Sequence, residues 1–178
     1  MTTRSYQPLH NPVSPNLNGA LHCIGYDADT ERCVILGFDV NNEVFRPMKL
    51  PNGLGKKVSR YKLLLFQKSL IALCCFDSPL VFSFEIWVMK QYGSVESWTK
   101  MWKCNSPGFE RGDVLGFRDN GEILCCAYNN SRRIIISFDP NTREEKELLD
   151  APFTLFDGIR YCESLVLLDN GNAVSYIT

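Results

Sequence analysis

The sequence predicts an all-β protein, a partial β-propeller built of antiparallel multi-stranded blades, from three observations. Short apolar runs rich in Val, Ile, Leu, Phe and Cys recur along the chain, with no 3.6-residue periodicity of helix length. Turn chemistry separates them, most clearly Asp-Asn-Gly at 119–121 and again at 169–171, a strong hairpin signal. One phrase also recurs: "CVILGFDVNNEVFRPMKLP" and "RIIISFDPNTREEKELLDAP" share an apolar strand, Phe-Asp, a short turn, a second strand and a proline stop.

The elements follow in order. Residues 1–18 are polar and rich in Pro and Asn, and read as a flexible lead. Residues 19–178 read as a single, incomplete propeller-like domain. Its first strand is "ALHCIGY" (20–26), followed by the turn "DADTER", the strand "CVILGFDV" (33–40), and "EVFRPMKLP" (43–51). "YKLLLFQ" (61–67) and "SLIALCCFD" (69–77) come next. A hairpin then joins "FEIWVMK" to "SWTKMWKC" across "QYGSVE", in the slot of the repeated phrase. "DVLGF" and "EILCCAY" flank the first Asp-Asn-Gly, "RRIIISFDP" and "KELLDAP" follow, and "SLVLLDNGNAVSYIT" ends the chain. Each repeated slot is preceded by an apolar strand ("ALHCIGY", "LIALCCF", "EILCCAY"). A spacing of about 50 residues matches the four-stranded blades of a kelch-like propeller. Three such units and part of a fourth do not close a ring, so the chain reads as part of a larger propeller rather than a flat meander or sandwich.

In "EIWVMK", Ile86 and Val88 should share one face and Trp87 and Met89 the other. A strand apolar on both faces belongs between two neighbours. Trp87 and Trp98 could pair across the turn.

Composition narrows function. With 178 residues, 45% hydrophobic and 22% charged, the chain can bury a sizeable core as one domain. A net charge of −1 offers no global field for nucleic acid or an anionic membrane, and no apolar run is long enough to span a bilayer. The start lacks the apolar core of a signal peptide, which predicts the cytoplasm or nucleus and free thiols at the eight cysteines. The Asn129-Asn130-Ser131 sequon is then expected to stay unmodified.

Catalytic and metal patterns fail on spacing. The cysteines lack C-x₂-C pairs, and adjacent cysteines on a strand face opposite ways, so no zinc is expected. His22 reads as a packed histidine. "DADTE" (Asp27, Asp29, Glu31) resembles the opening of a calcium loop but has Phe38 where the closing glutamate belongs, and reads as a solvated turn. "NGLGKKVS" (52–59) lacks phosphate-loop spacing. No G-x-S-x-G is present, and two histidines leave few ways to build a triad, so neither enzyme activity nor a cofactor is expected. On a propeller the inter-strand loops line the two open faces, where partners usually bind, so the candidates for protein contact are Lys56, Lys57 and Arg60, then Phe109 and Arg111 after "NSPG", then Arg132 and Arg133.

"LNGALHCIGYD", "ILGFDVNNEVFRPMKLP", "EIWVMKQYGSVESWTKMW" and "IIISFDPNTREEKELL" together resemble the plant F-box-associated domain, in matching order over roughly residues 17–170. The resemblance implies a non-catalytic module that recognises a protein substrate for a cullin-based ubiquitin ligase. It implies no nucleic acid and no membrane, and an adaptor partner only where an upstream F-box exists. The chain resembles the C-terminal part of that family's members, and no helical F-box pattern occurs in it. The alternative is a stand-alone interaction protein, or a truncated and non-functional member unable to bind the adaptor.

Overall fold

The computed structural model describes residues 6–8, 16–55, 60–67, 70–76, 82–106, 108–129 and 132–150. They form three antiparallel sheets. Blade one contains β1 (Tyr6–Pro8), β2 (Asn16–Leu17), β3 (Ala20–Asp27), β4 (Arg32–Asp39) and β5 (Val44–Lys49). Blade two contains β6 (Arg60–Phe66), β7 (Leu70–Phe76), β8 (Phe82–Met89) and β9 (Trp98–Ser106), paired in chain order. Blade three repeats that order with β10 (Arg111–Phe117), β11 (Ile123–Asn129), β12 (Arg132–Phe138) and β13 (Glu145–Asp150). The third strands β4, β8 and β12 begin at Arg32, Phe82 and Arg132, so the period is an even 50 residues. The fold is a partial β-propeller.

Two segments of the expected flexible lead are strands. β1 pairs with the end of β3 (Tyr6↔Asp27) and β2 with its start (Asn16↔Leu21), and together they give blade one its first edge. Their text hides this because an edge strand draws on backbone groups, and an edge is where a residue such as Pro8 is tolerated. The hairpin at 169–171 lies outside the described residues.

The repeated Phe-Asp has a local cause. In the turn after β4, Asp39 Oδ1 accepts the backbone N–H groups of Asn41 and Asn42, both at 3.1 Å. After β12, Asp139 Oδ1 accepts those of Asn141 (2.8 Å) and Thr142 (3.4 Å). Asp27 does the same for Asp29 and Thr30, so "DADTE" is a side-chain-capped turn. At Asp-Asn-Gly, Gly121 takes φ +89°, which suits a residue without Cβ, and Arg118 N–H donates to the Glu122 carbonyl at 2.8 Å.

Hydrogen bonds from the Asn42 side chain and backbone hold the Asp39 carboxyl below its ordinary value, helped by Asn41 and the Arg46 charge. A depressed carboxyl stabilises the fold above its unfolded-state pKa of about 4, and that contribution is lost as pH falls through the lower folded value. Asp39→Asn keeps the turn acceptor and removes the titration. Acid unfolding should therefore become less steep below about pH 4 in that variant, as followed by circular dichroism.

Blade two is the middle layer. Ile86 (0% exposed) and Val88 point into one core with Leu64, Phe84, Val114 and Ile136, between blades two and three. Met89 enters a second core with Ile24, Ile35, Leu73 and Trp98, between blades one and two, and Trp87 packs against it. β8 thus feeds both cores, as its two apolar faces predicted. The tryptophans do not pair: a register shift after Ile86 sets Trp87 opposite Lys100, while Trp98 sits opposite Met89 and donates its indole N–H to the Lys49 carbonyl at 3.2 Å. Each buried Ile, Leu or Phe in these layers contributes roughly 1.5–3 kcal/mol.

Cys23, Cys33, Cys74, Cys104, Cys125 and Cys126 are free thiols. Burial, with a smaller effect from Glu145, pushes the Cys104 thiol up to about 12, and burial pushes Cys125 far above its ordinary value. Thiolates are the reactive form. Among these six, iodoacetamide at pH 8 should therefore label half-buried Cys23 first and spare Cys74, Cys104, Cys125 and Cys126 until denaturant is added, as read by peptide mass mapping. Early labelling of Cys104 would contradict the packing.

Candidate protein-interaction surfaces

The two ends of blades two and three offer different chemistry. At the end where β6 and β10 begin, cations meet rings. Arg111, Tyr128 and Arg133 stand in one cross-strand row of β10, β11 and β12. The Arg111 guanidinium lies 5.0 Å from the Tyr128 ring centre and that of Arg133 5.9 Å, so one ring carries two cations. Arg133 also donates Nε–H to Cys126 Sγ at 2.9 Å. Arg60 covers the Phe76 ring at 3.7 Å and donates to the Gly112 carbonyl, next to Arg111. Lys62 meets Asp113 at 2.7 Å and joins the first strands of the two blades.

This end gathers three of the expected contact residues: Arg60, Arg111 and Arg133. Arg132 projects to the opposite face of its strand from Arg133 and pairs with Asp150 at 2.7 Å, both well exposed. Phe109 is a correction. Its ring is 8% exposed inside the core between blades two and three, because its backbone carbonyl accepts the Phe82 N–H (3.1 Å) and its N–H donates to Ser106, folding the loop inward. Lys56 and Lys57 lie outside the described residues.

At the opposite end, a cleft of about 570 Å³ opens between the same two blades. Phe66, Trp102 and Phe117 form its floor, with ring centres 5.0 to 6.3 Å apart. Lys90, Met101 and Arg118 stand on its rim. The β10–β11 hairpin beside it is braced: Arg118 binds Glu122 at 2.8 Å, and Ser137 Oγ donates to Glu122 at 2.5 Å. The Ser137 and Asn120 hydrogen bonds and Arg118 hold the Glu122 carboxyl below its ordinary value. Sequence reading missed this cleft because its walls come from strands on two blades, and only the alternate half-exposed Trp102 in "TKMWKC" hints at it.

His22 is buried, as expected of a packed histidine, with Nε2 2.7 Å from the Tyr92 hydroxyl. Among the described residues, no group of three or more His, Cys, Asp or Glu side chains could hold a metal ion. No described helix is long and apolar enough to cross a membrane.

The model of the F-box associated beta propeller domain matches residues 3–168. The chain belongs to that family. The match takes in β1 and β2, and so extends the expected span of roughly 17–170 back to the first strand. F-box associated domains are protein-interaction domains, which fits blade ends carrying stacked cations and an open cleft. A curated protein of Arabidopsis thaliana named "Putative F-box protein" is 32% identical over 91 residues, 51% of this chain. The matched stretch spans 24% of that relative's length.

Proposed function

We propose that this F-box associated domain recognises a protein substrate for a cullin-based ubiquitin ligase, as the substrate-side part of an F-box subunit. Its contribution is binding energy and geometry: it holds a target within reach of the conjugating machinery, and bond-making belongs to other subunits. The observation that carries the reading is the family match over residues 3–168. The proposed compartment is the cytoplasm or nucleus.

Arg60, Arg111 and Arg133 supply cations stacked on rings, and stacked arginines are common anchors at protein interfaces. A photo-crosslinking amino acid at position 111, tested in plant cells, should capture a discrete protein. The same probe at Arg46, an exposed position on β5, should not. Equal capture at both positions would overturn the assignment of this end as a contact surface. Lys56 and Lys57 stay in the proposed surface as neighbours of Arg60 in sequence.

A further inference from the structure

We propose that the cleft between blades two and three binds an extended peptide segment of the partner. One aromatic or large aliphatic side chain of that segment would enter the cleft, beside a carboxylate that meets Lys90. The inference rests on the protein-recognition reading and names a site and a ligand chemistry for it.

Three features of the cleft carry the proposal. Its volume of about 570 Å³ is within the range of side-chain-sized and ligand-sized pockets. Its floor is a cluster of edge-to-face and tilted rings, with Phe66 against both Phe117 (5.0 Å) and Trp102 (5.5 Å). Such a floor offers ring edges and faces to another apolar side chain. Met101, 38% exposed at the rim, adds an adaptable apolar wall.

The charge at the rim selects what accompanies that side chain. Arg118 is already bound to Glu122 and Ser137, and Asp119 already has an interaction partner. The Lys90 ammonium makes no ion pair among the described residues, and Lys90 is exposed. A carboxylate beside the inserted side chain therefore meets an available cation, whereas a lysine there meets a like charge. The Asn141 side chain, also on the rim, is placed to bond a peptide backbone.

The test uses the whole chain and three blocked dipeptides, followed by NMR at the Met101 methyl and Trp102 indole signals. N-acetyl-phenylalanyl-aspartate amide should shift both signals. It should bind roughly two- to fivefold more tightly than N-acetyl-phenylalanyl-lysine amide, the size of an exposed ion pair. N-acetyl-alanyl-aspartate amide should leave them unmoved. Lys90→Glu, an exposed change that leaves the core intact, should reverse the preference between the first two. Absence of shifts, shifts confined to the Tyr128 end, or a preference unchanged in Lys90→Glu would overturn the proposal. Concentration-dependent shifts without peptide would assign the cleft to a second copy and overturn it too. Should capture at position 111 persist while the dipeptides fail, only the cleft proposal falls. Dipeptide binding without capture at position 111 supports the cleft and removes only the Arg111 end from the contact surface.

Discussion

Replacing Ile86 by alanine should lower the stability of the chain by roughly 2–5 kcal/mol, the cost of removing a buried isoleucine and leaving a cavity. Ile86 is 0% exposed and sits in the core shared by blades two and three, on the strand that also feeds the core between blades one and two. Collapse around the gap is restricted because β8 is paired on both edges, to β7 and to β9. Ile86→Val should cost only about 0.5–1.5 kcal/mol. Urea unfolding of the three proteins gives the comparison. A loss below about 1 kcal/mol for alanine would mean that blade two is not the middle layer.

Gly112→Ala should be the next most damaging small change. A Cβ at that position would lie 2.7 Å from the Cys126 carbonyl oxygen and 2.7 Å from two carbons of the Phe82 ring. The carbonyl is part of the β10–β11 ladder and cannot swing away, and Phe82 is 2% exposed, so it has nowhere to move. Overpacking of this kind costs about 1–3 kcal/mol. The strand shift should also weaken the bond from Arg60 to the Gly112 carbonyl and so loosen the contact between blades two and three. Phe82→Leu in the same chain should recover part of the loss, as a double-mutant cycle would show. A fully stable Gly112→Ala would contradict the close approach of Phe82 to β10.

These expectations show what could be read from residues alone. Alternation in "EIWVMK" gave the two faces of β8 correctly because strand periodicity is local, and the Asp-Asn-Gly turn at 119–121 formed where its dihedral preference put it. The repeated Phe-Asp was recognisable as a unit, and the bonds from Asp39 and Asp139 to the following backbone explain why it repeats. Non-local features were harder. β1 and β2 are defined by pairing with β3 rather than by apolar content. The bulge after Ile86, and the pairing register that sets Trp98 opposite Met89 rather than Trp87, leave no mark in the sequence. Phe109 looked like a loop residue but is drawn inward by two backbone bonds. The cationic end was partly visible as Arg60, Arg111 and Arg133, whereas the aromatic cleft required two blades to be set side by side.

The central claim is that the chain presents a protein target for ubiquitination. Its most direct test is a reconstituted ligase in which residues 1–178 follow an F-box, assayed on the protein captured through position 111. The account predicts that this target is ubiquitinated, and that Arg111→Glu with Arg133→Glu reduces the rate at least several-fold while circular dichroism stays unchanged. A captured protein that binds the chain with equal strength yet is never modified would contradict it.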